Sequence, residues 1–366
     1  MKKIPIEKIL PLDISFIPIV LVLLFCTNSC EKLELERIIN VQTGTITNIL
    51  LNSCIAQGII IDIGEYMITQ HGHCWSTSQN PTINNRKTDL GLKDSVGEFS
   101  SELTGLDSET TYYVRAYATN KFGTYYGEQV QFITASTTVR DYDGNTYQTV
   151  QIGNQIWMAE NLKTTHYSDG TAIPLVENNS SWKNLTVTDK AYCYYENSTS
   201  NGNVYGALYT WSAAMNGAQS SNSIPSNIQG VCPTGWHLPS DSEWKELEMY
   251  FGMSQSAADD IDWRGTDEGS KLKESGTIHW EYPNQGATNS SGFTALPAGN
   301  RGYADSAGVT TGIFEFLGEY TDFWSSSEVS SNGAWYRSLG WNQTGVYRYW
   351  QYSWKDAGLS VRCIKD

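Results

Sequence analysis

The chain has 366 residues, of which 17% are charged, and its formal net charge at pH 7 is −15. This length is sufficient for more than one domain with its own hydrophobic core. The excess of acidic residues disfavours nucleic acid and anionic lipid as partners, because a negatively charged protein is repelled by a polyanion.

The first segment has the residue order of an export signal. Lysines precede an apolar run from Phe16 to Cys26, which is too short to cross a bilayer, since a crossing helix takes about 20 residues. The run ends in Thr27-Asn28-Ser29-Cys30, and small residues before a cysteine resemble a bacterial lipobox. We therefore expect residues 1–29 to be a lipoprotein signal peptide and Cys30 to be acylated. Cleavage by ordinary signal peptidase is the alternative.

The acidic stretch behind Cys30, from Glu31 to Glu36, is similar to the leaders that carry lipoproteins to the outer surface in Bacteroidetes-like bacteria. We therefore expect residues 30–41 to form a tether. The predicted location is the outer membrane, and the leader implies display at the cell surface. The lipid anchor is predicted to be the only membrane contact.

Residues 42–136 have short strands separated by turns, which is typical of a β-sandwich. Leu106, followed six residues later by Tyr112, resembles the tyrosine corner of fibronectin type III domains, which usually act as spacers. His71 and His73 are predicted to share one strand face. Two ligands without a third partner in view make a metal site a weak interpretation. The small residues Thr134-Ala135-Ser136-Thr137-Thr138 mark the domain boundary.

The second domain, residues 138–366, opens with Asp-Gly and Gly-Asn turns between apolar runs, which predict a hairpin. A helix is expected over Tyr205–Met215, because this stretch has good helix formers and an apolar face. A second helix follows Pro239, where Ser240 and Glu243 have the spacing of a capping box. The overall class is mainly β with an α+β C-terminal domain.

Four motifs of this domain together resemble the Fibrobacter succinogenes major paralogous domain. They are Gly230-Val231-Cys232-Pro233-Thr234-Gly235-Trp236-His237-Leu238-Pro239, the stretch from Gly292 to Gly302, Phe323-Trp324-Ser325-Ser326-Ser327, and Gly358-Leu359-Ser360-Val361-Arg362-Cys363. The resemblance implies a C-type-lectin-like fold whose long loops present a binding surface. It also implies a disulfide between Cys232 and Cys363, with two buried thiols as the alternative.

The chain has no recognisable catalytic motif of the common hydrolases, metalloproteases or phosphate-binding loops, so no catalytic residue is assigned. Cys193 and His237 are interpreted as packed core residues rather than as a nucleophile or a general base. Calcium-dependent sugar binding is disfavoured, because Glu281-Tyr282-Pro283-Asn284 and Trp341-Asn342-Gln343 only partly match the lectin motifs. No cofactor and no metal are predicted.

Aromatic residues are the strongest indication of function, because twelve of the 13 tryptophans lie in the second domain. Five of them fall in the family motifs or on apolar helix faces and are expected in the core: Trp157, Trp211, Trp236, Trp244 and Trp324. The residues predicted to contact a ligand are Trp263, Trp280, Trp341, Tyr347, Tyr349, Trp350 and Trp354. Alternation places Tyr347 and Tyr349 on one face of a strand and Arg348 with Trp350 on the other.

Exposed rings suit the apolar faces of sugars or a protein partner. The sequence therefore predicts a non-catalytic, surface-exposed lipoprotein that binds glycan or protein ligands through its C-terminal domain. One alternative is a sheet covered by loops of its own domain. Another is a structural envelope or fibre subunit without glycan binding.

Overall fold

The computed structural model describes residues 37–302, 311–350 and 355–366. The predicted signal peptide, the acylation site at Cys30, most of the predicted tether and the predicted ligand contact at Trp354 lie outside these residues. Residues Ile38–Asp366 form one compact unit. None of the helices in the described ranges has the length and apolar character that crossing a membrane requires.

An antiparallel β-sandwich occupies the N-terminal part of this unit. Its strands are β1 (Ile39–Thr47), β2 (Ser53–Ile63), β3 (Gln70–Ser76), β4 (Arg86–Lys87), β5 (Gly97–Thr104), β6 (Thr111–Asn120), β7 (Gly123–Tyr126) and β8 (Val130–Ile133). One sheet has the order β1-β2-β5 and the other has the order β4-β3-β6-β7, with β8 also paired to β6. This arrangement confirms the predicted fibronectin type III-like sandwich. The first strand starts at Ile39, inside the predicted tether.

The predicted tyrosine corner is present at the start of β6. The backbone N–H of Asp107 donates a hydrogen bond of 3.1 Å to the hydroxyl of Tyr112, and the rings of Tyr112 and Phe132 stack with centroids 5.9 Å apart. Tyr112 and Leu106 are buried in the same apolar cluster. The corner therefore fixes the connection between β5 and β6 against the core of the sandwich.

The C-terminal part is an α+β arrangement, as predicted; its lectin-like assignment stays a prediction. Its strands are β9 (Thr138–Arg140), β10 (Thr146–Ile152), β11 (Gln155–Met158), β12 (Tyr192–Cys193), β13 (Leu208–Tyr209), β14 (Trp236–His237), β15 (Asp262–Arg264), β16 (Ala298–Arg301), β17 (Phe314–Leu317), β18 (Tyr320–Ser330), β19 (Gly333–Gly340), β20 (Val346–Tyr349) and β21 (Ile364–Lys365).

The strands of this part form three sheets. A sheet of order β14-β21-β11-β10-β9 joins the two ends of the domain, and β12 pairs with β13. The largest sheet has the order β15-β20-β19-β18-β16-β17. The helices are α1 (Asn179–Lys183), α2 (Thr199–Tyr205), α3 (Trp211–Met215), α4 (Asp241–Tyr250), α5 (Gln255–Asp259) and α6 (Glu268–Leu272).

Helix α4 begins at the predicted capping box. The Ser240 hydroxyl accepts a hydrogen bond from the backbone N–H of Glu243, and the Glu243 carboxylate accepts one from the backbone N–H of Ser240. Two donors of the first helical turn are thereby satisfied. Trp244 and Leu247 on the inner side of the helix are buried, as expected.

The helix predicted over Tyr205–Met215 is wrong in its first half. Helix α2 ends at Tyr205, the chain turns at Gly206 with a φ of 83°, and Leu208 pairs with Cys193 in a short sheet. A Cβ at Gly206 would lie 2.9 Å from the carbonyl oxygen of Leu162, so this close approach requires glycine. The strand pairing overrides the local helix propensity.

The predicted disulfide between Cys232 and Cys363 is present and spans a sequence separation of 131. It ties the segment before β14 to the segment before β21. A bridge of this loop length stabilises a fold by roughly 2–5 kcal/mol. Within the described residues the remaining cysteines, Cys54, Cys74 and Cys193, are buried thiols.

Candidate functional site

The largest sheet carries one row of side chains that changes from aromatic to polar. Trp263 on β15 pairs with Tyr347 on β20, and Tyr347 pairs with Ser338 on β19. Ser338 in turn pairs with Asp322 on β18. Paired residues of antiparallel strands project to the same face. The row therefore runs from the exposed ring of Trp263 to the buried carboxylate of Asp322.

The rings of this face contact one another in series. Ring centroids are 5.2 Å apart for Trp263 and Tyr347, 5.5 Å for Tyr347 and Tyr349, and 6.4 Å for Tyr349 and Trp350. On the other side, Trp263 lies 6.4 Å from Tyr320. We call these five residues the aromatic face. Trp263 is 36% exposed, and the other four rings are half-buried.

Gly340 provides the space in which two of these rings meet. It pairs with Tyr320 across β18 and β19. A Cβ at this position would lie 2.7 Å from the Tyr320 ring and 3.2 Å from the Trp263 ring. Both rings therefore rest over a glycine, and a larger residue would separate them.

A buried ionic cluster holds the strands from the opposite side of the sheet. Arg348 donates from Nε and Nη2 to the two carboxylate oxygens of Asp241, each at 2.8 Å, and Arg337 donates to Asp241 Oδ1 at 2.8 Å. Burial alone would raise the pKa of Asp241, but Arg337 and Arg348 outweigh it and hold that pKa well below its usual range. Arg348 is therefore buried on this side of the sheet, and Tyr347 and Tyr349 lie on the other face, as alternation predicts. Both rings are half-buried there and pack at the edge of a core cluster that contains Trp324 and Tyr336.

Lys273 fixes the turn that follows β19. Its buried ammonium donates to the carbonyl oxygens of Gly340 and Gln343 at 2.8 Å each and to that of Gln285 at 3.2 Å. Burial lowers the pKa of Lys273 to about 8, so the group is still protonated at pH 7. Three donors meet three acceptors, which holds Gly340 in position beneath the rings.

The polar end of the row contains a buried acid and a buried amide. Asn300 Nδ2 donates to Asp322 Oδ2 at 2.8 Å, and Asn300 Oδ1 has no hydrogen-bond partner among the described residues. Burial raises the pKa of Asp322 to about 6, although hydrogen bonds from Asn300 and Ser338 oppose this shift. A carboxylate placed here costs stability, which is more typical of a functional position than of a core.

Two of the predicted ligand contacts behave differently from expectation. The prediction for Trp280 is wrong, because its side chain is 2% exposed and its Nε1 donates to the carbonyl oxygen of Ala295 at 3.0 Å. The ring fills the second core of the domain. Trp341 is half-buried and packs against that same core. The structure therefore brings together Trp263, Tyr347, Tyr349 and Trp350 and sets Trp280 apart. The prediction that Trp350 shares the face of Arg348 is wrong, because β20 ends at Tyr349 and the Trp350 ring stacks on that of Tyr349.

His71 and His73 lie on one strand face, as predicted, with both rings 5.0 Å from Phe99. His73 Nδ1 is 2.8 Å from the Ser101 hydroxyl and His71 Nδ1 is 2.9 Å from the Gly91 carbonyl oxygen. Burial lowers the pKa of His73 to about 4. These rings pack and bond within the sandwich.

A groove of about 840 Å³ lies between the sandwich segment Ile46–Leu50 and α4. Its polar wall is His237, whose ring nitrogens are each 2.7 Å from a carboxylate, Nδ1 from Asp366 and Nε2 from Glu243. Because these polar groups satisfy one another, the groove presents few of the convergent unpaired groups that a ligand site needs. The aromatic face is therefore the better candidate.

Sequence reasoning missed Tyr320 and Gly340 as members of the site. Tyr320 belongs to β18, which is distant in sequence from β15 and β20, and only the strand register shows that it meets Trp263. The one available signal was the glycine that ends β19 directly before Trp341. A glycine at a strand end is a common turn residue, so it does not identify a ring contact by itself.

Comparison with solved structures gives matches over about a quarter of the chain. The sensor domain of an anti-sigma factor from Pseudobacteroides cellulosolvens is 15% identical, with 27% of this chain and 95% of that chain covered and a TM-score of 0.23. A human fibronectin type III domain is 13% identical, with 29% and 80% covered and a TM-score of 0.20. No curated protein matches the chain significantly.

Residues 150–365, more than half of the chain, match the profile of the Fibrobacter succinogenes major domain. The match contains every strand and helix from β11 to β20, and so includes all five residues of the aromatic face. The chain therefore belongs to the Fibrobacter succinogenes major domain family and carries a fibronectin type III-like β-sandwich before that domain.

Proposed function

We propose that this protein is a non-catalytic, surface-exposed lipoprotein that binds glycan through the aromatic face. The observation that carries the proposal is the series of contacting rings at one edge of the largest sheet. The family and the disulfide agree with a surface or extracellular protein that has a binding or structural role.

The chemistry of the face supports sugar as the ligand. Aromatic rings present flat apolar surface next to polar hydroxyls, which suits the C–H faces and hydroxyl groups of a pyranose. Tyr347 also contacts Tyr336 with centroids 6.1 Å apart, and the cluster under the sheet fixes β20. Rings held in place before binding lose little conformational entropy when a ligand arrives.

The export signal and the lipobox-like Cys30 support a position at the outer membrane, anchored by lipid. In this proposal the β-sandwich acts as a spacer between the anchor and the binding domain. Protease added to intact cells should cut a surface-exposed protein. Protection on intact cells with cleavage after lysis would contradict surface exposure.

A glycan array probed with the purified full-length protein tests the binding proposal. We expect selective retention on at least one glycan class. The second candidate is a structural envelope or fibre subunit, which exposed rings also suit because aromatic residues are frequent in protein interfaces. Self-association in size-exclusion chromatography, with no glycan retained, would favour that candidate.

A further inference from the structure

The proposed function does not specify the class of glycan. The charge and the length of the aromatic face indicate which class fits. We infer that the ligand is a neutral, linear polysaccharide that lies along several rings, rather than an acidic polymer or a single terminal sugar. This inference rests on the proposed function and adds the chemical class of the glycan.

The arginines of the largest sheet do not reach the binding surface. The described strands of this sheet carry Arg264, Arg301, Arg337 and Arg348 and contain no lysine. All four arginines are buried. Arg264 pairs with Glu248 and Arg337 with both Glu248 and Asp241, while Arg301 donates to backbone carbonyls of Val176 and Glu177.

Carboxylates, by contrast, lie near one end of the rings. Half-buried Glu319 directly precedes Tyr320, whereas the exposed Asp262 pairs with Arg348 and so lies on the other face of β15. Burial raises the pKa of the Tyr320 phenol, and the charges of Glu319 and Asp322 raise it further. An acidic polysaccharide would bring its carboxylates or sulfates close to these groups. The described strands of the sheet offer no exposed cation to pair with them, so binding would be repulsive.

The length of the ring series indicates more than one sugar subsite. Starting from Phe316, which lies 5.5 Å from Tyr320, the contacts pass through Trp263, Tyr347 and Tyr349 to Trp350. A single pyranose covers about one ring. A linear chain can contact several rings in turn and gain roughly 2- to 10-fold in affinity for each one.

The polar groups at the edge of the face suit hydroxyl recognition. The exposed amide of Asn342 lies near the phenol of Tyr320 and opposes the rise in its pKa. An amide offers both a donor and an acceptor to a neutral sugar. Together with the phenol hydroxyls, these groups can bond to hydroxyls along the edge of a chain without needing an ionic group on the ligand.

Isothermal titration of the full-length protein tests the inference. The probes are gluco-, manno- and xylo-oligosaccharides of one to six units, together with polygalacturonate at low and high salt. We expect affinity for one neutral series to rise with each added unit and then level off, and we expect no binding of polygalacturonate at either salt concentration.

The possible failures are distinguishable. Salt-sensitive binding of polygalacturonate, or a monosaccharide that binds as tightly as the hexamer, would overturn the inference while leaving glycan binding intact. Absence of binding to every neutral and acidic probe, together with an empty glycan array, would overturn the proposed function itself. The variant Asp262→Asn adds a control, because binding of a neutral chain should change less than 2-fold.

Discussion

Trp263 and Tyr347 lie directly opposite each other on β15 and β20, with ring centroids 5.2 Å apart. The two residues are separated by more than eighty positions in the sequence. Their contact joins the exposed edge strand of the largest sheet to its neighbour. The continuity of the aromatic face depends on this contact.

Substitution of Gly340 should disrupt the face from below. In the variant Gly340→Val the side chain would meet the rings of Tyr320 and Trp263, which must then move apart. We expect a loss of glycan affinity of roughly 10-fold, or ~1.4 kcal/mol. Titration calorimetry measures the affinity, and circular dichroism checks that the fold persists. A folded variant with unchanged affinity would show that ring spacing at this point is unimportant.

Removal of the Lys273 ammonium should destabilise the turn after β19. The variant Lys273→Met leaves the carbonyls of Gln285, Gly340 and Gln343 without this donor. We expect the free energy of unfolding to fall by about 2–4 kcal/mol, because unpaired buried polar groups are costly.

The matched control is Lys271→Met, in helix α6, which ends one residue before Lys273. Lys271 forms an ion pair with the exposed carboxylate of Asp267 and donates to the carbonyl oxygen of Phe251 at 2.9 Å. Because Lys271 is partly exposed, water can replace these partners, and we expect a loss of about 0–1 kcal/mol. Urea unfolding of both variants makes the comparison. Equal effects in the two variants would refute a special role for Lys273.

The buried acid Asp322 should make stability depend on pH in a defined direction. Burial raises its folded-state pKa from 3.8 to about 6. The contribution of this group to stability is therefore fully present below about pH 4 and is lost as pH rises through about 6. The variant Asp322→Asn should be more stable than the natural protein at pH 7.5, by up to ~3 kcal/mol.

The same two proteins should differ little at pH 4, where Asp322 is protonated and resembles the amide. Urea unfolding at both pH values provides the test. Asp262→Asn on the exposed edge strand is the control and should change stability little. A destabilising effect of Asp322→Asn at pH 7.5 would mean that the carboxylate supports the fold rather than costing stability.

The imidazole of His237 should titrate above its ordinary range. Burial alone would lower the pKa of His237, but Glu243 and Asp366 outweigh it and raise that pKa above 6.5. Both ring nitrogens face a carboxylate, so the charged form is favoured. Its contribution to stability is present below pH 6.5 and is lost as pH rises through the folded-state pKa.

Unfolding of the natural protein and of His237→Gln, measured from pH 6 to pH 9, tests this assignment. The difference in free energy of unfolding between the two should shrink as pH rises. A difference that stays constant across this range would show that the histidine is not charged in the folded state.

Local patterns in the sequence predicted several parts of the structure because each depends on near neighbours. The tyrosine corner and the capping box of Ser240 and Glu243 join residues within six positions. Alternation placed Tyr347 and Tyr349 on one face and Arg348 on the other. The disulfide was predicted through the family resemblance and not through spacing.

Other parts depend on contacts that no local pattern encodes. Trp280 is flanked by polar residues and looks exposed, but its ring fills a core with residues from other elements. Arg348 is buried because its guanidinium donates to the carboxylate of Asp241, which lies 107 positions away in the sequence. Strand β13, between α2 and α3, forms because it pairs with Tyr192 and Cys193 of β12. Register across the sheet, which brings Tyr320 to Trp263, is likewise a long-range property.

The central claim is that ligand binding occurs at the aromatic face, and a comparison of two double variants tests it most directly. Trp263→Ala with Tyr347→Ala removes the middle of the ring series. Phe122→Ala with Tyr282→Ala removes two rings that are 62% and 81% exposed elsewhere on the protein. The measurement is the affinity of the full-length proteins for the neutral glycan that the array identifies. We predict a loss of at least roughly 100-fold for the first variant, or ~2.7 kcal/mol, and less than 2-fold for the second. Equal affinity of both variants and the natural protein would contradict the account.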